Sequence, residues 1–157
     1  MSNPIISLSK LMWKFSEKKS VISFYVLFLF SNTVDFFHPL IVGKILNIIQ
    51  EQGINAENIG FITLLLSGFI ILNVAFWAFH GPGRVIELGN AFNVRSKYKK
   101  YLIDGTMELP AQWHTDHHSG DTIDKINKST DALYKFSSEN FIIIESVLRL
   151  ISSYIAL

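Results

Sequence analysis

Apolar and polar stretches alternate along the chain, and the alternation sets out its elements. Residues 21–42 are a first apolar run, interrupted by Asp35, His38 and Pro39. Residues 59–79 are a second, about twenty-one positions without a single charge, enough for a helix at 1.5 Å per residue to cross a hydrocarbon core of about 30 Å. Residues 141–157 turn apolar again. Between the second and third runs, residues 84–136 are polar. There Val85, Leu88, Phe92, Tyr98 or Tyr101, Leu102 and Leu109 keep helical spacing against a basic opposite face. The pattern predicts an all-α polytopic membrane protein with spans over about 21–49, 59–79 and 138–157. The intervening loop, about 80–137, reads as a cytoplasmic segment built to touch a partner.

Local signals refine the boundaries. Leu8, Leu11, Met12 and Phe15 follow helical spacing, with Lys10, Lys14, Lys18, Lys19 and Trp13 around them. Residues 1–20 therefore suit either an elbow helix lying among lipid headgroups or a plain basic tail. Pro39 predicts a kink in the first span. His80-Gly81-Pro82-Gly83 reads as a helix stop with Pro82 restarting a new helix, or else as a kink within one long helix. From Arg84 to Leu109 the helical pattern runs for about 39 Å at 1.5 Å per residue. Leu109-Pro110 ends it, because the residue before a proline avoids the helical region. A loop is expected over 111–118. Ser119-Gly120-Asp121 then reads as a turn in which Asp121 caps a rising helix through Ile123 and Ile126, carrying on past Leu133 and Phe136 into the third span. Glu145 and Arg149 are four apart and can pair on one face.

Charge distribution orients the chain where the net charge of +1 does not. The first twenty residues hold four lysines, the connection 50–58 holds no basic residue, and 84–136 holds eight lysines and arginines. Basic residues gather on the cytoplasmic side, so the N-terminus and the long loop are expected inside and 50–58 outside. The location expected is a plasma or inner cell membrane. Composition agrees: 17% charged and 49% hydrophobic residues are lean in charge for a soluble domain. The absence of cysteine excludes disulfides, thiol catalysis and Cys-ligated metals in this chain.

Candidate chemistry is sparse. Asp35 and His38, three apart on one helix face, read as a pair facing substrate or ion, as an interhelical hydrogen bond, or as residues close to the outer interface. An Asp at mid-membrane costs about 2.5–3.5 kcal/mol, so it should face protein or water. Ser67, Gly68 and Asn73 suit a helix–helix contact in the second span. His114, Asp116, His117 and His118 are adjacent in a loop and read as solvated rather than as a metal site. No GxxxxGK[ST] loop, catalytic triad or other phosphate-binding motif is present, so no catalytic residue, metal ligand or bound cofactor is assigned to this chain. The basic run 95–100 (RSKYKK) fits lipid headgroups or a cytoplasmic protein better than nucleic acid.

In order and spacing these residues resemble the transmembrane domain of ATP-binding cassette (ABC) exporters, the six-helix type with long intracellular helix extensions. Residues 39–46 (PLIVGKIL) look like the end of that family's first span. Arg95, Tyr98, Tyr101-Leu102, Leu109-Pro110 and Trp113 look like its descending helix and break. Ser119-Gly120-Asp121-Thr122-Ile123-Asp124-Lys125-Ile126, with Asn127, look like its first coupling helix. Lys125 stands where the family usually has Arg, and Ser129 where an acidic residue is common, with Asp131 two positions on. The resemblance covers the first half of such a domain.

That resemblance implies a membrane part of a transport ATPase. Residues 119–127 would dock on a nucleotide-binding domain, in the same or a separate chain, that carries ATP and Mg. A second transporter half would complete a dimer. Residues 84–109 and 128–150 would act as levers, and Asp35, His38 and Asn73 would face substrate. Two other readings stand beside it. One is a small complete membrane scaffold or accessory protein that binds a cytoplasmic partner through 84–136. The other is a soluble helical interaction protein that buries its apolar runs in a core.

Overall fold

The computed structural model describes residues 3–155, and every element in that range is a helix. In order these are α1 (Pro4–Phe15), α2 (Lys18–Asp35), α3 (Phe37–Gln52), α4 (Ile59–Met107), α5 (Ala111–Asp116), α6 (Ser119–Ser138) and α7 (Asn140–Ile155). Residues 156 and 157, the last of the expected third span, lie outside the described residues. The stretch Lys18–Gln52 and α4 are each long and apolar enough to cross a membrane. Only 6% of the most apolar part of α4 is buried. Among the described residues no core covers Leu64, Ile70, Ile71 and Val74, all more than 60% exposed, a surface suited to lipid or another protein.

The helix boundaries follow from local chemistry, with several departures from the sequence expectation. Asn3 caps α1, its Oδ1 accepting the Ile5 N–H at 3.0 Å, and Pro4 fills the first helical position. The first span breaks at Phe36, between Asp35 and Phe37. Pro39 accounts for this. It has no N–H for the Asp35 carbonyl, and its ring crowds that same group. Gly53 at φ 66° closes α3. Asn58 Nδ2 donates to the Gly53 carbonyl at 2.7 Å, and Asn55 Oδ1 accepts the backbone N–H groups of Glu57 and Asn58.

The Gly-Pro-Gly stretch is not a stop. α4 runs unbroken for 49 residues with Pro82 inside it. Gly83 has a packing role instead: a Cβ there would lie 2.9 Å from Phe28 Cε1, and the Phe28 side chain is buried. Residues 111–116 form a short helix rather than a loop. The helix after it starts at Ser119, with His118 as the residue before it and no side-chain cap, so Asp121 sits in the first turn and does not cap. The rising segment is also two helices, separated at Glu139 (φ −112°, ψ 7°).

The chain forms two compact units. The first holds the described residues up to Ser23 and Val85–Phe141. Its core is Met12, Val94 and Leu133, with Leu8, Leu11, Phe15, Tyr98 and Phe136 packed around them, so the apolar faces of α1, α4 and α6 meet. Polar groups fix their register. Asn90 Oδ1 accepts the Glu17 N–H at 3.2 Å and Asn90 Nδ2 donates to Ser16 Oγ at 3.1 Å, which ties the α1–α2 corner to α4. Arg95 pairs with Asp131, and Lys99 Nζ donates to Asn127 Oδ1 at 2.9 Å, joining α4 to α6. Glu87, fully buried, accepts the Phe141 N–H at 3.1 Å at the start of α7.

The second unit holds Phe24–Arg84 and the described residues from Ile142. Phe24, Phe28 and Ser31 are buried there. Phe28 packs on His80 with ring centroids 5.5 Å apart, and Phe30 stacks on Phe79 at 5.6 Å.

Candidate functional site

Two regions carry chemistry, one in each unit. In the first unit, α5 and the opening turns of α6 form the segment between the Met107 end of α4 and the body of α6. Trp113 is held by its neighbours: His117 stacks on it at 4.3 Å, His117 Nδ1 sits 2.9 Å from the Trp113 carbonyl, and His114 meets it edge-on at 5.3 Å. Among the described residues no three His, Asp or Glu side chains are placed to hold a metal.

Ser119, Gly120, Asp121, Ile123, Asp124 and Lys125 are exposed on α6, whereas Thr122, Ile126 and Asn127 are half-buried. Ile123 is 58% exposed, an apolar side chain presented among charges. A Cβ on Gly120 would meet nothing within 4 Å, so the fold itself does not require glycine there. Asn127 Oδ1 accepts from Lys99 Nζ within the unit, which places it beside α4. The charges are paired along the helix: Asp121 with Lys125 at 2.7 Å and Asp124 with Lys128 at 2.6 Å. The Lys125 hydrogen bond and charge hold the Asp121 carboxyl below its ordinary value, and the Asp124 hydrogen bond and charge raise the Lys128 ammonium above its own.

In the second unit a cavity of about 620 Å³ opens among α2, α3 and α7. Asp35, His38 and Arg149 line it, with Phe36, Phe37 and Leu148 among its apolar walls. Arg149 Nη2 lies 3.3 Å from Asp35 Oδ2 and 2.9 Å from Glu145 Oε1, so one guanidinium bridges two carboxylates on different helices. His38 Nδ1 is 3.2 Å from Asp35 Oδ1, close enough for charge interaction but out of line for a hydrogen bond. Neither ring nitrogen of His38 has a hydrogen-bond partner among the described residues, and its ring meets Phe69 edge-on at 4.9 Å.

Of the three residues expected to face substrate, Asp35 and His38 come together here. Asn73 does not line this cavity and is exposed on α4. The sequence reading paired Arg149 with Glu145 but missed its second partner. The available signal was the presence of opposite charges in two separate apolar runs, since charges in such surroundings pair with one another. No family model matches the chain, and neither the curated proteins nor the solved structures contain a match.

Proposed function

We propose that the chain is the first half of a six-helix exporter transmembrane domain of the ABC type. In this reading it spans a plasma or inner membrane several times with its N-terminus in the cytoplasm. It lines part of a substrate path and couples to a nucleotide-binding domain that binds ATP and Mg. The observation that carries the reading is α4: one uninterrupted helix begins in an uncharged apolar stretch and ends in a basic, polar one. A short helix and a second long polar helix follow it before the chain turns apolar again. A helix continuous across such a change of surroundings can carry movement at its polar end into its apolar end.

The docking element is the exposed face of Ser119–Lys125 together with α5. Ile123 would enter an apolar groove of the partner, and the paired charges around it would form a polar rim. Asn127 belongs to the support behind this face. The partner's closure on ATP would push on that face, and a second transporter half would complete the path.

Gly120→Pro tests the coupling. Proline is tolerated in the first turn of a helix, so α6 should form with only Ser119 displaced from its start while the added ring obstructs docking. In membranes from the source organism the chain should co-purify with an ATP-binding domain, and the variant should lose about tenfold or more of substrate-stimulated ATPase, the loss expected when docking is weakened by about 1.4 kcal/mol. Normal stimulation in the variant would overturn the docking role. Co-purification of a partner that binds no nucleotide would replace the transporter reading with that of a membrane scaffold.

A further inference from the structure

We infer that the groove between α3 and α4 seats an anionic phospholipid, with an acyl chain along the groove and the headgroup phosphate on Lys44. The inference rests on reading these two helices as membrane spans and on nothing in the coupling role. The groove offers about 500 Å³, inside the range of small-molecule sites, about 300–1,000 Å³, and it shares only Phe37 with the cavity around Asp35.

Its shape follows from the register of the two helices. The short connection 53–58 joins them, so α4 returns along α3. A Cβ on Gly68 would lie 3.8 Å from Ile41 Cδ1, which sets these two residues at one level. Lys44 and Leu65 each lie three positions nearer the connection, and Phe37 and Leu72 each lie four positions farther from it. These two pairs mark the ends of the groove, about 10 Å apart at 1.5 Å per residue. Ile41, Leu65, Gly68 and Leu72 are half-buried and form its floor, whereas Phe37, Leu40, Lys44 and Ile71 are exposed along its rims.

Lys44 is the one polar side chain in this lining. Among the described residues it has no ion pair and no hydrogen-bond partner. α4 carries no charge from Ile59 to Phe79, and the nearest acids along the chain are Asp35, nine positions before Lys44, and Glu51, seven after it. A lone ammonium in such surroundings is costly and turns its head towards the polar interface. α3 ends at Gln52, about 12 Å along the axis from Lys44. The flexible stem reaches towards that end, where lipid phosphates lie, while the groove below it runs into hydrocarbon.

A second helix is a poorer occupant. Close contact between helices in a membrane uses small or polar residues, and Gly68 is the only small one here, already covered by Ile41. Leu, Ile and Phe ridges suit a flexible acyl chain instead. A zwitterionic headgroup carries its own cation, which competes with Lys44 for the phosphate. An anionic headgroup leaves the phosphate to the lysine.

The test uses the full chain in lipid nanodiscs. The chain has no cysteine, so Leu64→Cys takes a single fluorophore. Leu64 is exposed, one turn from Gly68 on the side of the Lys44 end. Ile70→Cys is the control, exposed and about 200° round the helix from Gly68. Phosphatidylglycerol and phosphatidylcholine with identical brominated acyl chains are titrated in turn into unbrominated phosphatidylcholine. Phosphatidylglycerol should quench the label at 64 at about fivefold lower mole fraction, the preference that one basic residue confers on anionic lipid. Both lipids should quench the label at 70 alike. Lys44→Gln should remove the difference at 64, and Lys44→Arg should keep it. Lys44 is exposed, so both variants should stay folded, which circular dichroism verifies. Equal quenching at 64 by the two lipids, or a preference that survives Lys44→Gln, would overturn the inference. So would a label at 64 that neither lipid reaches, the sign that a second copy of the chain covers the groove. No nucleotide or coupling partner is present, so such a failure leaves the exporter reading standing, and normal ATPase stimulation in Gly120→Pro would leave the lipid seat standing.

Discussion

Glu87 shows what a single residue contributes. It is a carboxylate with no exposed surface, and it accepts the Phe141 N–H where α7 begins. The first N–H groups of a helix have no partner within the helix, and here a side chain from α4 supplies one. Glu87→Ala should therefore destabilise the folded chain by about 1–3 kcal/mol, the cost of leaving a buried donor unmet. Glu87→Gln keeps an acceptor oxygen in place and should cost less. Thermal unfolding in detergent, followed by circular dichroism, gives the comparison; equal melting of the alanine variant and the native chain would show that water or another group replaces the contact. Nothing in the sequence singles out Glu87, because its role depends on a residue 54 positions away. Asp35 and His38 were visible because a polar residue in an apolar run stands out. Arg149 stood out equally, but its contact with Asp35 in addition to Glu145 depends on how separate helices pack.

At the scale of elements, apolar periodicity and proline explain most of what the sequence made legible, and the misplacements share one cause. The breaks at Phe36 and after Met107 follow from Pro39 and Pro110, each acting on the preceding residues. Pro82 carries the same chemistry yet does not end α4, and beside it the neighbouring apolar segment packs Phe28 against Gly83. Such contacts are absent from local pattern. α6 differs in being polar and supported by its own i,i+4 pairs. Asp121 lies below its ordinary value of 3.8 in the folded helix. Its contribution is complete above that value and is lost as pH falls through the lowered one. Lys128 lies above its ordinary 10.5, so its contribution is complete below that value and is lost as pH rises through the raised one. A peptide covering 118–139 should accordingly be most helical between these limits and lose helicity at both ends. Asp121→Asn should flatten the acid side of the profile. A helicity unchanged between neutral and strongly acidic solution would show that these exposed pairs contribute nothing, a common result for surface ion pairs.

At the scale of the whole molecule, the prediction that bears most weight is topological, because the coupling role depends on it. Gly53 lies in the short polar connection between α3 and α4, in a segment with no basic residue. Ser119 opens α6, beyond the basic end of α4. Lysine and arginine are retained on the cytoplasmic side, so the two positions should lie on opposite faces of the membrane. The chain has no cysteine, so Gly53→Cys and Ser119→Cys each introduce a unique thiol without competing background. Ser119 is exposed, and a Cβ at Gly53 would meet nothing within 4 Å, although its φ of 66° and ψ of −176° lie in a region essentially confined to glycine, so a side chain there strains the turn by about 1–3 kcal/mol. A membrane-impermeant maleimide applied to intact cells should label position 53 and leave 119 unlabelled until the membrane is opened. The reverse pattern would invert the orientation and move 119–125 to the outer face, where no ATP-driven partner could reach it. Labelling of both from the same side would mean that α4 does not cross. The exposed Leu64, Ile70 and Val74 would then require a protein partner in place of lipid.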